Sequence, residues 1–373
     1  MANPNKKPNS GVQRPDTHRV LFPVAAVFAA TAVPLWLAAQ ARSLPFASPL
    51  WHGHEMLFGY AAAVVAGFLV TRAAPYVPWI LLAAWIAARV ATFVPDPRLA
   101  FLLGISFPLA LLVPAVRPLL RGAKRWENRI VPAVIMALLA LDAMWWSGAL
   151  WLGVYVQQRA LIAGVDLFAL LMLIVGGRAL PAAVGGYLER RGIRRRDYIR
   201  RGYELPIAGL AGGACLLDAF GLGAAAGVLN VATALATLAR ILPWQLHYTR
   251  ARPELWALAL GYLWLVPGLL LKGFAALGIG MPVNQVLHGI TVGALGTLTL
   301  TMMARTAVLQ AHRPLEHFGD IGFGALLASA AALLRLVAPL VPTQQTLLLW
   351  SAATLWSAAF LALLRRLWRT PRH

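Results

Sequence analysis

Apolar runs about twenty residues long recur from Val20 almost to the end of the chain, and they constrain everything else. A helix that crosses the hydrocarbon of a bilayer needs roughly 20 mostly apolar residues, with a range of about 17–25. Twelve segments fit: 20–40, 54–71, 77–94, 99–116, 130–147, 152–177, 205–220, 222–239, 255–273, 285–304, 321–341 and 345–364. Lipid offers no water to backbone N–H and C=O groups, so segments of this kind span as helices. Only 12% of the residues are charged, against about 25% in soluble domains. The expected fold class is therefore an all-α integral membrane protein, a bundle of about twelve transmembrane helices in contact with the lipid bilayer.

The loops set an orientation. With the N-terminus in the cytoplasm, the inner segments hold 27 of the 33 Lys and Arg residues. The outer loops hold Arg42, Arg98 and Lys272, while Arg89, Arg159 and Arg335 fall within spans. Such a bias follows the positive-inside rule and puts both termini in the cytoplasm. Residues 1–19 read as a disordered polar tail. Residues 20–373 read as one transmembrane domain: six segments in 20–177, a basic inner loop at 178–204, six more in 205–364 and a basic tail at 365–373. The net charge of +20 does not indicate nucleic acid, because the basic residues sit in short loops rather than on one face of a soluble domain. Cys215 is the single cysteine. An internal disulfide and covalent c-type haem attachment are both excluded.

Ionisable groups at membrane depth are functional candidates by default. In this orientation His52, His54, Glu55, Gln157, Arg159 and His288 lie near outer helix starts, and Arg89 and Asp142 near outer ends. Asp166 lies deeper, seven residues beyond Arg159 on the same face, as a structural or a functional pair. Asp142, beside Trp145 and Trp146, also fits a plain interfacial position. Snorkelling to the surface is an equally simple reading of Arg89 and Arg159. A helix N-terminus disfavours imidazolium, so His54 and His288 are expected as neutral imidazoles, the form that binds metals. Residues two apart on a helix point about 200° apart. His52 and His54 therefore cannot share one ion unless His52 precedes the helix. Met56 offers a thioether, a ligand type that suits Cu(I). A proton-coupled transporter using Arg159, Asp166 and Asp142 is the competing reading.

Two stretches, "HGHEMLFGYAAAVVAGFL" (52–69) and "VLHGITVGALGTLTLTMMARTA" (286–307), resemble the signature segments of the NnrS family. "GGRALP" (176–181), "LGYLWLVPGLLL" (260–271) and "RPL" (313–315) extend the likeness along the chain. The resemblance covers His52, His54, Glu55, Met56, Gly59, Tyr60, Gly177, Arg178, His288, Gly293, Met303 and Arg305. It implies a bacterial inner-membrane protein of the nitric oxide response that contains b-type haem and copper, with nitric oxide as a partner. Haem ligation is then expected from His52, His54 and His288, with Arg89 and Arg159 at the propionates. Metal ligands are expected among His52, His54, Glu55, Met56 and His288. The chain departs from the family pattern at Ala259 and Gln310, where relatives often carry a histidine, and has "RAAPYVP" after the second segment. The Ala259 departure leaves the copper site open.

Overall fold

A computed structural model describes residues 16–44, 47–71, 73–122, 129–194, 201–312, 314–315 and 318–370. Residues 1–15 of the expected tail, Arg72, Arg313, His317, His373 and the loop stretch 195–200 lie outside the described residues.

The chain is helical over all twelve apolar segments. The first six are formed by α1 (Thr17–Ala41), α2 (Pro49–His54) with α3 (Ala62–Leu69), α4 (Val77–Val90), α5 (Pro97–Gly104) with α6 (Ser106–Gly122), α7 (Ile130–Ser147) and α8 (Val154–Arg190). The last six are α9 (Arg201–Ala219), α10 (Gly223–Ile241), α11 (Pro253–Leu263) with α12 (Leu265–Ala276), α13 (Val283–Val286) with α14 (Thr297–Gln310), α15 (Gly319–Val337) and α16 (Gln345–Arg369). Among the described residues, nine helices are long and apolar enough to cross a membrane. Three segments fall outside that group. Val77–Phe93 is shorter, α2–α3 begins with two histidines and a glutamate, and α9 carries Glu204 and Asp218.

Several boundaries move. The first helix starts at Thr17, after Asp16, and buries Thr17 and His18, so the tail ends earlier than expected. The basic loop at 178–204 is helical as far as Arg190 and again from Arg201. Lys272, expected in an outer loop, is buried inside α12. Its neighbours on the helix are apolar, and its charge is met by carboxylates from other helices.

Helix α8 is the buried axis of the bundle. Its 37 residues follow Gly153, whose φ of 85° suits only glycine at that turn. Its apolar window is 78% buried, the highest value among the nine candidate spans. Pro181 lies inside it and lacks the N–H that would reach the Gly177 carbonyl. Arg240 of α10 supplies the missing donor: Nη2 bonds Gly177 O at 2.8 Å, and Nη1 bonds Leu173 O at 3.1 Å. A Cβ on Gly177 would stand 2.3 Å from Arg240 Nη1, so the glycine seats the arginine. The next residue, Arg178, bonds Glu204 at the start of α9, at 2.6 Å. The "GGRALP" stretch thus holds a backbone carbonyl freed by proline and served by Arg240, and a tie to α9.

First and last helices close on each other. Trp356 Nε1 donates to Ala29 O at 2.8 Å, and Ser357 Oγ to Ala30 O at 2.7 Å. Both signature segments are interrupted by π-helix, Glu55–Ala61 between α2 and α3 and Gly289–Gly296 between α13 and α14. Each starts directly after a signature histidine, His54 or His288. Such wide turns occur mostly at functional sites, because they re-aim side chains.

Candidate cofactor site

Ser48 fixes the start of α2, where its Oγ accepts from Trp51 N at 3.1 Å and Pro49 takes a first-turn position. His52 and His54 then sit on one continuous helix, and their opposed directions lead to two different environments.

His54 is fully buried. Its Nδ1 lies 3.1 Å from Glu55 Oε1 and its Nε2 lies 2.9 Å from Asp142 Oδ1. The ring stacks on Trp145 at 3.9 Å between centroids, with Trp146 edge-on at 5.4 Å. Arg89 Nη1 donates to the other oxygen of Glu55 at 2.7 Å. A Cβ on Gly59 would stand 2.3 Å from that nitrogen, so Gly59 opens the way for Arg89. Ionised carboxylates only accept hydrogen bonds. Two of them on one imidazole call for N–H on both ring nitrogens. With both carboxylates ionised, an imidazolium and the Arg89 guanidinium would balance their charge, in place of the neutral imidazole expected from the helix dipole. In this arrangement His54 has no ring nitrogen open to a metal, and Glu55 is held by His54 and Arg89. Asp142 and the two tryptophans are buried inside the bundle.

His52 turns the other way, into a cavity of about 780 Å³. The cavity lies where α1 ends and α2, α13 and α16 begin. Trp36, Met56, Tyr60, His288 and Arg335 line it together with His52, and most of the remaining wall is apolar. The His52 ring stacks on Trp36 with centroids 4.3 Å apart and planes 20° apart. Neither of its nitrogens has a hydrogen-bond partner among the described residues. His288 Nδ1 lies 3.1 Å from Gln285 O. A carbonyl can only accept, so Nδ1 carries the proton and Nε2 keeps its lone pair. Backbone carbonyls orient metal-binding histidines in this way. Tyr60 ties the first π-helical segment to α14 through a hydroxyl contact with Thr299.

The structure therefore divides the expected cluster. His52, Met56 and His288 come together at the cavity. His54, Glu55, Arg89 and Asp142 form a separate buried network. Arg159 does neither: it bonds the Tyr155 hydroxyl at 2.8 Å and Asp218 O at 2.6 Å. Nor does it pair with Asp166, whose ionic partner is Lys272. Asp142 and Asp166 belong to different networks, so the transporter reading loses its single polar path. Arg335, which sequence reasoning left as one more charge within a span, is the arginine at the cavity wall. Ala259 is buried but is not part of the lining, and Gln310 is exposed at the far end of α14. Neither departure removes a donor from the cavity. Among the described residues, no group of three or more His, Cys, Asp or Glu side chains is placed to hold a metal ion.

These features define a multi-pass helical membrane protein with a histidine-bearing cavity at one end of the bundle. The chain belongs to the NnrS family, whose model, described as NnrS protein, matches residues 15–371. No curated protein matches it. Family membership and the polytopic helical fold fit a membrane protein of the nitric oxide response.

Proposed function

We propose that this protein is a haem-binding membrane protein of nitric oxide metabolism or nitrosative-stress defence, with b-type haem held by His52 and His288. One observation carries the reading: two imidazoles with open ring nitrogens line a single, largely apolar cavity. The residues fit the group. Imidazole is a standard axial ligand of haem iron. The cavity volume lies within the roughly 300–1,000 Å³ typical of cofactor and small-molecule sites. Arg335 supplies a positive charge for propionates in place of Arg89 and Arg159, which are engaged elsewhere. When bound, haem supplies an iron centre for diatomic-ligand or one-electron chemistry.

The chain's own contribution is positional. Gln285 O holds the His288 ring in the tautomer with Nε2 free. Trp36 fixes the plane of His52 by stacking. The His54–Asp142 contact ties α2 to α7 and so steadies the helix that presents His52.

Copper is the second reading. It is favoured by Met56, which adds a thioether to the two imidazoles at the same cavity. Nitrogen and sulfur donors suit Cu(I). The basic inner segments support twelve spans with both termini in the cytoplasm, and family membership favours a bacterial cytoplasmic membrane.

Protein purified from haem-sufficient cells is expected to show a Soret band and haem iron in stoichiometric amount. A colourless, metal-free preparation would overturn the proposal. Copper without haem would select the second reading.

A further inference from the structure

A second charged site lies on another side of α8 and has no part in the cavity. Lys272 of α12 bonds Asp166 of α8, and it bonds Asp218 at the end of α9 at 2.6 Å. The lysine side chain is 1% exposed, Asp166 is 4% exposed and Asp218 is 12% exposed. Three helices, α8, α9 and α12, thus deliver one ammonium and two carboxyl groups to one largely buried point.

The charges do not balance. With both carboxylates ionised the site carries a net negative charge in a largely buried position, a costly state. Both carboxyl groups bond the same Lys272 Nζ, which brings them to one point. Two carboxylates at one site cannot both ionise without strong repulsion, and such pairs take up a proton. Asp166 Oδ2 is buried and has no hydrogen-bond partner. It is the atom left open once Lys272 has engaged Asp166 Oδ1 and Asp218 Oδ2. The other groups facing the site are Cys215 of α9, a buried thiol, and Arg159 of α8, which bonds the Asp218 carbonyl. Neither supplies the missing positive charge to the Asp166 carboxyl.

We infer that the Asp166–Asp218 pair, clamped by Lys272, is a proton-binding site within the bundle. One proton, taken from solvent, brings the site from a net charge of minus one to zero. Asp218 is the more exposed carboxyl and lies beside the turn between α9 and α10, so it is the side of entry. The proton rests on the carboxyl pair, and Lys272 stays an ammonium that donates to both. The site does not depend on haem or copper in the cavity.

The test is infrared difference spectroscopy of the full-length protein in nanodiscs across a pH series, in H₂O and D₂O. The expected result is a protonated-carboxyl C=O band that titrates, shifts in D₂O, moves on aspartate 13C labelling, and is lost in Asp166→Asn. Absence of any such band in the folded wild-type protein would overturn the inference and leave a wholly ionised structural cluster. A band that survives in both Asp166→Asn and Asp218→Asn would overturn it as well. If Asp166→Asn fails to fold, Lys272→Gln serves as the second variant. There, an unchanged titration would count against the assignment, whereas a midpoint displaced by one pH unit or more would support it. Stability that depends on Na⁺ with no carboxylic-acid band at any pH would give the site to a monovalent cation and overturn the proton reading.

Discussion

At the scale of single residues, the two signature histidines on α2 differ in what their rings touch. His54 has a carboxylate on each nitrogen and an indole on its face. His52 has an indole on its face and, among the described residues, no hydrogen-bond partner on either nitrogen. Their spacing in "HGH" forbids a common target once both lie on one helix, as they do in α2. Which histidine meets the cavity is not readable from the sequence, because Asp142 lies 88 residues beyond His54. Breaking a buried charge pair by removing one partner typically costs about 3–5 kcal/mol. Asp142→Ala is therefore expected to lower stability by roughly that amount, read as a fall in the thermal midpoint of the purified protein. A midpoint within error of wild type would mean that the His54 network contributes little.

Among the elements, the signature segments owe their character to wide turns and close approaches. Gly59 follows His54, and Gly293 follows His288, at the same five-residue spacing. The structure supplies the common cause, a π-helical stretch that begins after each histidine and leaves its glycine facing a large side chain. Arg89 approaches Gly59, and the Trp264 indole approaches Gly293. No periodicity in the sequence announces a π-helix, which keeps the same apolar content as an α-helix. Pro181 in α8 gives a sharper test. Loss of a donor to a buried carbonyl costs about 1–3 kcal/mol. Arg240→Met is expected to destabilise by that order in the natural background. It should cost less in Pro181→Ala, where the restored N–H can serve Gly177 O. Equal costs in the two backgrounds would show that Arg240 does not act through that carbonyl.

For the molecule as a whole, hydropathy made the helical architecture legible, because each span must hide its own backbone. Charge placement was less reliable. Lys272 read as a loop residue because it lies close to the end of an apolar run. Its carboxylate partners are 106 and 54 residues away in sequence. Arg335 was passed over in the same way, since nothing local connects it with His52 and His288. The twelve-span arrangement has its own check. A reporter at the C-terminus or between Ile193 and Arg201 should report cytoplasm, and one between Leu277 and Pro282 should report the outer side. A C-terminal reporter on the outer side would break the twelve-helix arrangement.

The division of the histidines into a cavity pair and a buried network is the central claim. The most direct measurement compares Soret absorbance per folded protein in His52→Ala, His288→Ala and His54→Ala. Loss of the band, or a large shift with weakened haem retention, is expected in the first two. His54→Ala should retain the band in whatever fraction folds. Full, unshifted bands in both cavity variants, with loss in folded His54→Ala alone, would contradict the account and return the ligand to the His54 network.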